Sequence, residues 1–187
     1  MTHPLHDVPT GPNPPGELTA FIEIPRGSRN KYELDKETGL LRLDRILYAA
    51  VHYPGDYGFL PRTLGDDADP LDVLVMTTEP TFPGCLILVR PVGVFLMEDE
   101  KGKDEKILAV PVADPLRRDL RELADVAPHY LDEVRHFFSV YKDLEGKRVR
   151  TIGWEGRAEA ERLIVASIER YATSERYAAS PANASPG

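Results

Sequence analysis

Alternation opens the ordered part of the chain. Leu18, Ala20, Ile22 and Ile24 are separated by Thr19, Phe21 and Glu23, the period of two that predicts a strand. Residues 30–35 alternate again, with Lys31 and Glu33 on one face and Tyr32 and Leu34 on the other. Gly39 marks a turn before a further stretch over 40–48. Runs rich in Val, Ile and Leu over 71–77, 86–97 and 107–112 predict three more short strands. Pro83-Gly84 predicts a type II turn between two of them, and Pro91-Val92-Gly93 a bend within the longest. Strands at this spacing point to a barrel or a sandwich. The period then lengthens. Leu131, Val134, Phe138 and Tyr141 fall on one helical stripe within 128–145, with Gly146 as the stop. Ala160, Leu163, Ile164, Ile168 and Tyr171 form a second stripe over 158–171. Asp114-Pro115 predicts a cap and first helical position for a short helix through Leu123. The class is α+β and mainly β, with helices packed on a strand-rich body.

The ends read differently. Residues 1–16 hold Pro4, Pro9, Pro12, Pro14, Pro15, Gly11 and Gly16, which predicts a flexible, proline-rich arm. This segment has neither the basic start nor the apolar stretch of a secretory signal. Residues 178–187 carry no periodicity and read as a flexible tail. A single domain is therefore expected over 17–177. With 187 residues, such a chain buries about 70% of its unfolded surface and needs no staple to fold. Cys85 is the only cysteine, which excludes a disulfide framework and fits a reducing compartment. No apolar run approaches the roughly 18 residues of a membrane span. A cytoplasmic location is expected, with no membrane partner.

Charge changes the picture more. Against 23 Lys and Arg stand 31 Asp and Glu, a net charge of −8, which argues against a nucleic-acid partner. Asp66, Asp67, Asp69 and Asp72 crowd one short stretch, and no Lys or Arg occurs between Arg62 and Arg90. Crowded carboxylates need water, protonation or a cation to offset their repulsion. Oxygen ligands in a loop suit Mg²⁺, Mn²⁺ or Ca²⁺; a solvated turn accounts for the same residues equally well. An EF-hand is excluded, because its mid-loop glycine and closing glutamate are absent. A second acidic segment, residues 98–104, lies between two apolar runs. A hairpin tip at Lys101-Gly102 would bring Asp99 and Asp104 together. Lys31, Arg45 and Lys142 are candidates to hold phosphate, and Tyr53, Tyr57 and Tyr141 to donate to its oxygens. Each has a plain structural reading as well. Taken together, acids that bind metal and cations that bind a polyanion form one chemical set.

These residues also fall into ordered motifs. Asp67-Ala68-Asp69-Pro70-Leu71-Asp72 is preceded by Ile22-Glu23-Ile24-Pro25, Asn30-Lys31-Tyr32-Glu33, Leu43-Asp44-Arg45 and Tyr53-Pro54-Gly55-Asp56-Tyr57-Gly58. It is followed by a segment containing Asp99, Asp104 and Lys106, then by His136-Phe137-Phe138 and Tyr141-Lys142-Asp143-Leu144-Glu145. In this order the chain resembles the soluble inorganic pyrophosphatases of the type common in bacteria, from about Phe21 to about Tyr171. Ala68 departs from the glycine that many members carry there.

The resemblance implies a five-stranded, OB-like closed β-barrel with helices packed outside, and a site at its mouth. It implies an inorganic diphosphatase, a phosphoanhydride hydrolase that splits diphosphate into two orthophosphates with several Mg²⁺ ions and a metal-activated water nucleophile. Mn²⁺ and Zn²⁺ are expected substitutes. By the same resemblance, Asp67, Asp72, Asp99 and Asp104 ligate metal and Asp69 is the general base. Lys31, Arg45, Tyr57, Tyr141 and Lys142 bind substrate; Glu23, Glu33, Tyr53 and Lys106 support them. A homohexamer built from two trimers is implied as well. Two rival readings stand beside it: a Mg²⁺-dependent hydrolase of nucleotides or other phosphate esters, which would use the same residues and want an apolar slot for the base, and a non-catalytic OB-like nucleic-acid module, which would want aromatics on a basic groove.

Overall fold

The alternating segment Leu18–Ile24 is strand β1, and the second alternation forms β2 (Asn30–Leu34), paired with β3 (Leu41–Ile46) as a separate ribbon. The remaining strands are β4 (Asp56–Phe59), β5 (Asp72–Val75), β6 (Leu86–Asp99), β7 (Gly102–Pro111) and β8 (Arg150–Gly156), with helices α1 (Pro128–Val140) and α2 (Arg157–Thr173). This computed structural model describes residues 2–100 and 102–174. The large sheet runs β1-β4-β5-β7-β6-β8, and β1 also pairs with β6. The strands β1, β4, β5, β7 and β6 thereby close a ring, the OB-like barrel expected. Its pairings are antiparallel except β5 with β7.

The apolar runs are continuous because both strand faces are covered. Val73 and Val75 of β5 and Ile107 and Ala109 of β7 share a cluster with Ala160 and Ile164 of α2. Their neighbours Leu74, Leu108 and Val110 share another with Val134, Phe137 and Phe138 of α1. Each helix thus lies over one apolar cluster, and the sheet holds them apart. Gly84 has φ +93 and the Cys85 N–H donates to Phe82 O at 3.1 Å, which makes the expected type II turn. The β6–β7 register shifts between Pro91 and Gly93, where the bend was expected.

Two helix expectations need correction. No helix forms from Asp114-Pro115 through Leu123: only a 3₁₀ turn at Leu123–Asp125 appears. Of Leu116, Leu120 and Leu123 only the last two reach the core, while Leu116 is 73% exposed, so the stripe is too short for a helix to bury. Asp114 instead accepts from the Thr78 hydroxyl and the Leu116 N–H, which holds a turn. The helix expected over 128–145 is split: Tyr141 caps α1, and Gly146, at φ +71, ends a separate 3₁₀ turn at Asp143–Glu145. Strands β4 and β8 had no periodic signal. Gly58 in β4 is required because a Cβ there would collide with Phe21 O of β1, so close pairing, not side-chain pattern, makes this strand.

The proline-rich segment also departs from a free arm, because it is seated on the barrel. Leu5 is buried against Phe21 and Phe59, its carbonyl accepts from Arg62 N at 3.0 Å, and His6 Nδ1 bonds the Tyr171 hydroxyl at 2.6 Å. Leu5→Ala is expected to cost about 2–3 kcal/mol, read as a lower urea midpoint; an unchanged midpoint would mean the seat contributes nothing. The tail expected at 178–187, and the domain end at Tyr177, lie outside the described residues, as does Lys101 of the expected hairpin tip.

Candidate active site

The acidic loop is curled by its own backbone. Gly65 N donates to Asp69 O at 2.7 Å, Asp69 N donates to Asp67 Oδ1 at 3.0 Å, and Ala68 sits in the left-handed region at φ +65. A glycine would occupy that region without strain; alanine is the smallest residue that enters it with a Cβ. The loop delivers Asp72 to the first position of β5, where it lies beside Lys106 of β7. Lys106 is 4% exposed and its ammonium donates to both Asp72 and Asp104. The Tyr57 hydroxyl, from β4, donates to Asp72 Oδ2 at 2.6 Å. Asp104 and Asp99 stand on the β6–β7 hairpin, and Lys142, just beyond α1, donates to Asp99 Oδ2 at 2.8 Å.

A basic rim comes from the ribbon. Lys31 and Arg45 are cross-strand neighbours in β2 and β3, and the Asp44 carboxylate lies 3.5 Å from Lys31 Nζ and 2.5 Å from Arg45. Arg45 Nε donates to Glu145 Oε1 at 2.8 Å. Lys31 also pairs with Glu33. Glu23, from β1, accepts from the Leu34 N–H at 2.7 Å.

One cavity of about 720 Å³ brings these groups together. It is lined by Asp67, Asp69, Asp72, Asp99 and Asp104, by Glu23 and Glu33, by Lys31, Arg45, Lys106 and Lys142, and by Tyr57 and Tyr141. Of the residues given a role in the sequence analysis, Tyr53 alone lies outside this lining. It is 2% exposed and packs its ring 5.3 Å from Tyr57 and 4.8 Å from Phe137, so it backs Tyr57 from the core. Lys36, Asp44 and Lys147 also line the cavity and were not singled out. Lys36 pairs with Asp69 from a turn built on Asp35, whose Oδ1 accepts from Glu37 and Thr38 N–H groups at 3.0 Å. The turn is legible locally; its meeting with Asp69 is not. The acidic stretch lacks cations of its own, so they arrive from elsewhere: Lys36, Lys106, and Arg170 of α2, which pairs with Asp66 at 2.7 Å.

The electrostatics are those of crowded acids. Desolvation raises the Asp104 carboxyl above the usual range, Asp72 and Asp99 add to it, and Lys106 opposes. Burial works against the Lys106 charge, but Asp72, Tyr57 and Asp104 outweigh it and hold the ammonium well above its ordinary range. Burial and the neighbouring Arg45 lower Lys31. Among the described residues no three acidic or imidazole groups converge as a ready metal cage; Lys106 stands between Asp72 and Asp104 where a cation is wanted. The donors on this wall are all carboxylate oxygens, which fits a hard divalent ion such as Mg²⁺.

Glu23 gives a pH test. Desolvation pushes its carboxyl up to about 8, with Asp72 and Asp69 adding to the rise and the Leu34 N–H and Lys31 resisting it. The folded chain then keeps a proton that the unfolded chain sheds from about pH 4.5, so stability falls as pH rises from there to about 8. Glu23→Gln keeps an acceptor for Leu34 and removes that loss. In EDTA the variant should match the parent at pH 5 and exceed it by a few kcal/mol at pH 8.5, on the order the shift implies. Urea unfolding at both pH values checks this; a gap that does not widen with pH would overturn it.

Comparison with known proteins follows this geometry. A profile of the inorganic pyrophosphatase family matches residues 20–172. The chain is 54% identical over 153 residues to the inorganic pyrophosphatase of Methanosarcina acetivorans, covering 82% of this chain and 91% of that protein. It is 54% identical over 156 residues to that of Streptomyces coelicolor, covering 83% and 96%. Its fold is similar to the crystal structure of the inorganic pyrophosphatase from Thermus thermophilus, with a TM-score of 0.87, 45% identity, and coverage of 90% of this chain and 98% of that one.

Proposed function

The chain belongs to the inorganic pyrophosphatase family, and from that premise we infer that it hydrolyses inorganic diphosphate to two orthophosphates in the acidic cavity. The observation that carries the assignment of the site is the meeting, in one cavity, of five aspartates with Lys31, Arg45 and Lys142. A polyanion needs cations on every side, and this cavity supplies some itself and offers ligands for the rest.

The family is metal-dependent; Mg²⁺ is the ion proposed, with Mn²⁺ or Zn²⁺ as substitutes. Asp67, Asp72, Asp99 and Asp104 would hold several such ions, which would supply charge to offset substrate oxygens and lower the pKa of a water toward neutral pH. Asp69 accepts the proton of the attacking water as its oxygen bonds one phosphorus and the bridging P–O bond breaks. Arg45, Lys142 and Tyr141 hold the departing orthophosphate and its developing charge. Lys31 and Tyr57 hold the other half. Glu33 and Glu23 position Lys31, Tyr53 supports the Tyr57 ring, and Lys106 balances Asp72 and Asp104.

Release of orthophosphate from diphosphate tests this. Release is expected with Mg²⁺, to stop in EDTA, and to be slight with ATP. No release with Mg²⁺, Mn²⁺ or Zn²⁺ from folded protein would overturn the assignment. A nucleotide hydrolase is disfavoured because this cavity is walled mainly by charged groups, and an OB-type nucleic-acid surface because its carboxylates would repel phosphates. A homohexamer of two trimers is the assembly proposed; light scattering after gel filtration should give the mass of six chains. No helix among the described residues is long and apolar enough to cross a membrane, and a cytoplasmic location is proposed.

A further inference from the structure

Lys36 stands at the tip of the β2–β3 ribbon, in a turn closed by Gly39 N donating to Asp35 O at 2.8 Å. Among the described residues the ribbon shares no strand pairing with the barrel. Its tip is met instead by the start of the chain. His3 Nε2 bonds Lys36 O at 3.2 Å. The Leu5 N–H donates to His3 Nδ1 at 3.3 Å, so the ring proton sits on Nε2 and is the one donated to Lys36. The His3 ring also lies against Gly39, where an added Cβ would come within 3.0 Å of it. Below the tip, Leu34 ends β2 and Leu41 begins β3, and both pack on the cluster that Leu5 shares with Phe21 and Phe59.

The same segment is tied to the barrel by other groups. Arg62, in the loop after β4, donates its N–H to Leu5 O at 3.0 Å and its Nε to His6 O at 2.9 Å. His6 bonds the Tyr171 hydroxyl of α2 and stacks on His3 with ring centroids 4.6 Å apart. Asp7 Oδ2 accepts from His3 N at 2.6 Å, and Asp7 N donates to His3 O at 2.8 Å, which closes the segment on itself. Residues 3–7 thus form a strut, rooted on the loop after β4 and on α2 and bearing on the ribbon tip. The diphosphate chemistry derived above gives neither the strut nor Lys36 a part. Yet Leu5, Lys36 and Asp69 line the acidic cavity together. The Lys36 side chain is 39% exposed there, and its ammonium pairs with Asp69. A lysine head on a flexible stem can pass from a carboxylate to an incoming phosphate oxygen. Holding its backbone in place beforehand lowers the ordering cost of that contact.

We propose that Lys36 is a further substrate-binding residue, taking a diphosphate oxygen at the cavity edge, and that His3 is its positioning residue, acting through the Lys36 carbonyl. The inference rests on the acidic cavity being the diphosphate site. Steady-state kinetics of the full chain with Mg²⁺ tests it. Lys36→Met is expected to raise KM for diphosphate about fivefold with kcat nearly unchanged, the pattern of lost binding rather than lost chemistry. His3→Ala should raise KM about threefold by itself and no further in the Lys36→Met background, because it acts through that lysine. His3→Gln, whose amide can make the same donation, should restore the parent KM. The urea midpoint of His3→Ala should match the parent's, since the bond removed is exposed. Additive effects of the two substitutions, or no effect of His3→Ala, would overturn the positioning role. An unchanged KM in Lys36→Met would overturn the proposal as a whole. Calorimetric titration of methylenediphosphonate with Mg²⁺ should give the same ratios as dissociation constants, and its P–C–P bridge is not hydrolysed. A parent that binds this probe but releases no orthophosphate would sink the proposed activity and leave those ratios to decide the inference. A parent that binds neither compound would sink both.

Discussion

Asp69→Asn is expected to lower diphosphate turnover by about 10²- to 10⁴-fold, the usual weight of a proton acceptor in the transition state. The amide keeps the shape of the carboxylate and the backbone of its loop, whose closing bonds come from Gly65 N and Asp67 Oδ1. It loses the capacity to take a proton and the attraction for Lys36. Metal affinity should largely survive, because the proposed ligands Asp67, Asp72, Asp99 and Asp104 are untouched. Turnover under saturating Mg²⁺, beside a metal titration, separates the two. Equal losses of affinity and turnover would make Asp69 a ligand. Lys36→Met serves as a control: if freeing Lys36 were the cause, that substitution would reproduce the loss.

Lys106→Met is expected to have the largest effect on stability. The ammonium is almost wholly buried between Asp72 and Asp104, and removing one partner of such a set leaves charge uncompensated, at a cost of about 3–5 kcal/mol. The apolar stem of methionine still packs near the Tyr57 and Phe138 rings that the ammonium overlies at 5.6 and 5.8 Å, so a cavity is not the cause. The loss in EDTA should shrink at low pH, where Asp104, already held above the usual carboxylate range by desolvation, takes up a proton. It should shrink also with Mg²⁺, which would supply the missing charge. Urea unfolding with and without Mg²⁺ checks this. A loss equal in both conditions would mean that the lysine does not stand in a cation's place.

Strands β1 and β2 were legible by their alternation, and β5, β6 and β7 as apolar runs. In the last three, burial on both faces favours apolar runs, broken by the buried Arg90 and Lys106. Strand β4 was hidden because Asp56 and Gly58 are poor strand formers that pairing on both sides imposes; the closeness of Phe21 is a tertiary demand. Strand β8 was hidden for the opposite reason, since Ile152 is half-exposed and charges intervene. The acids of the cavity were legible as a crowd along the chain. Of their counterions Lys106 was named only through the resemblance and Lys36 not at all, because they meet Asp72 and Asp69 through a parallel pairing and a turn that no local pattern announces. The split after Tyr141 was equally hidden: the ring packs against Phe137 and Phe138 while the next residue, Lys142, turns to Asp99.

The closed ring governs how the protein opens as well as how it stands. In the large sheet, β1, β4, β5, β7 and β6 each have partners on two sides, whereas β8 is paired to β6 alone. A ring has no end from which to fray, so its amides should exchange with solvent deuterium only through a collective opening, at similar and slow rates. The amides of β8 and of the two-stranded β2–β3 ribbon should exchange first. That order would put the ribbon bearing Lys31 and Arg45 on a faster clock than the barrel bearing Asp72.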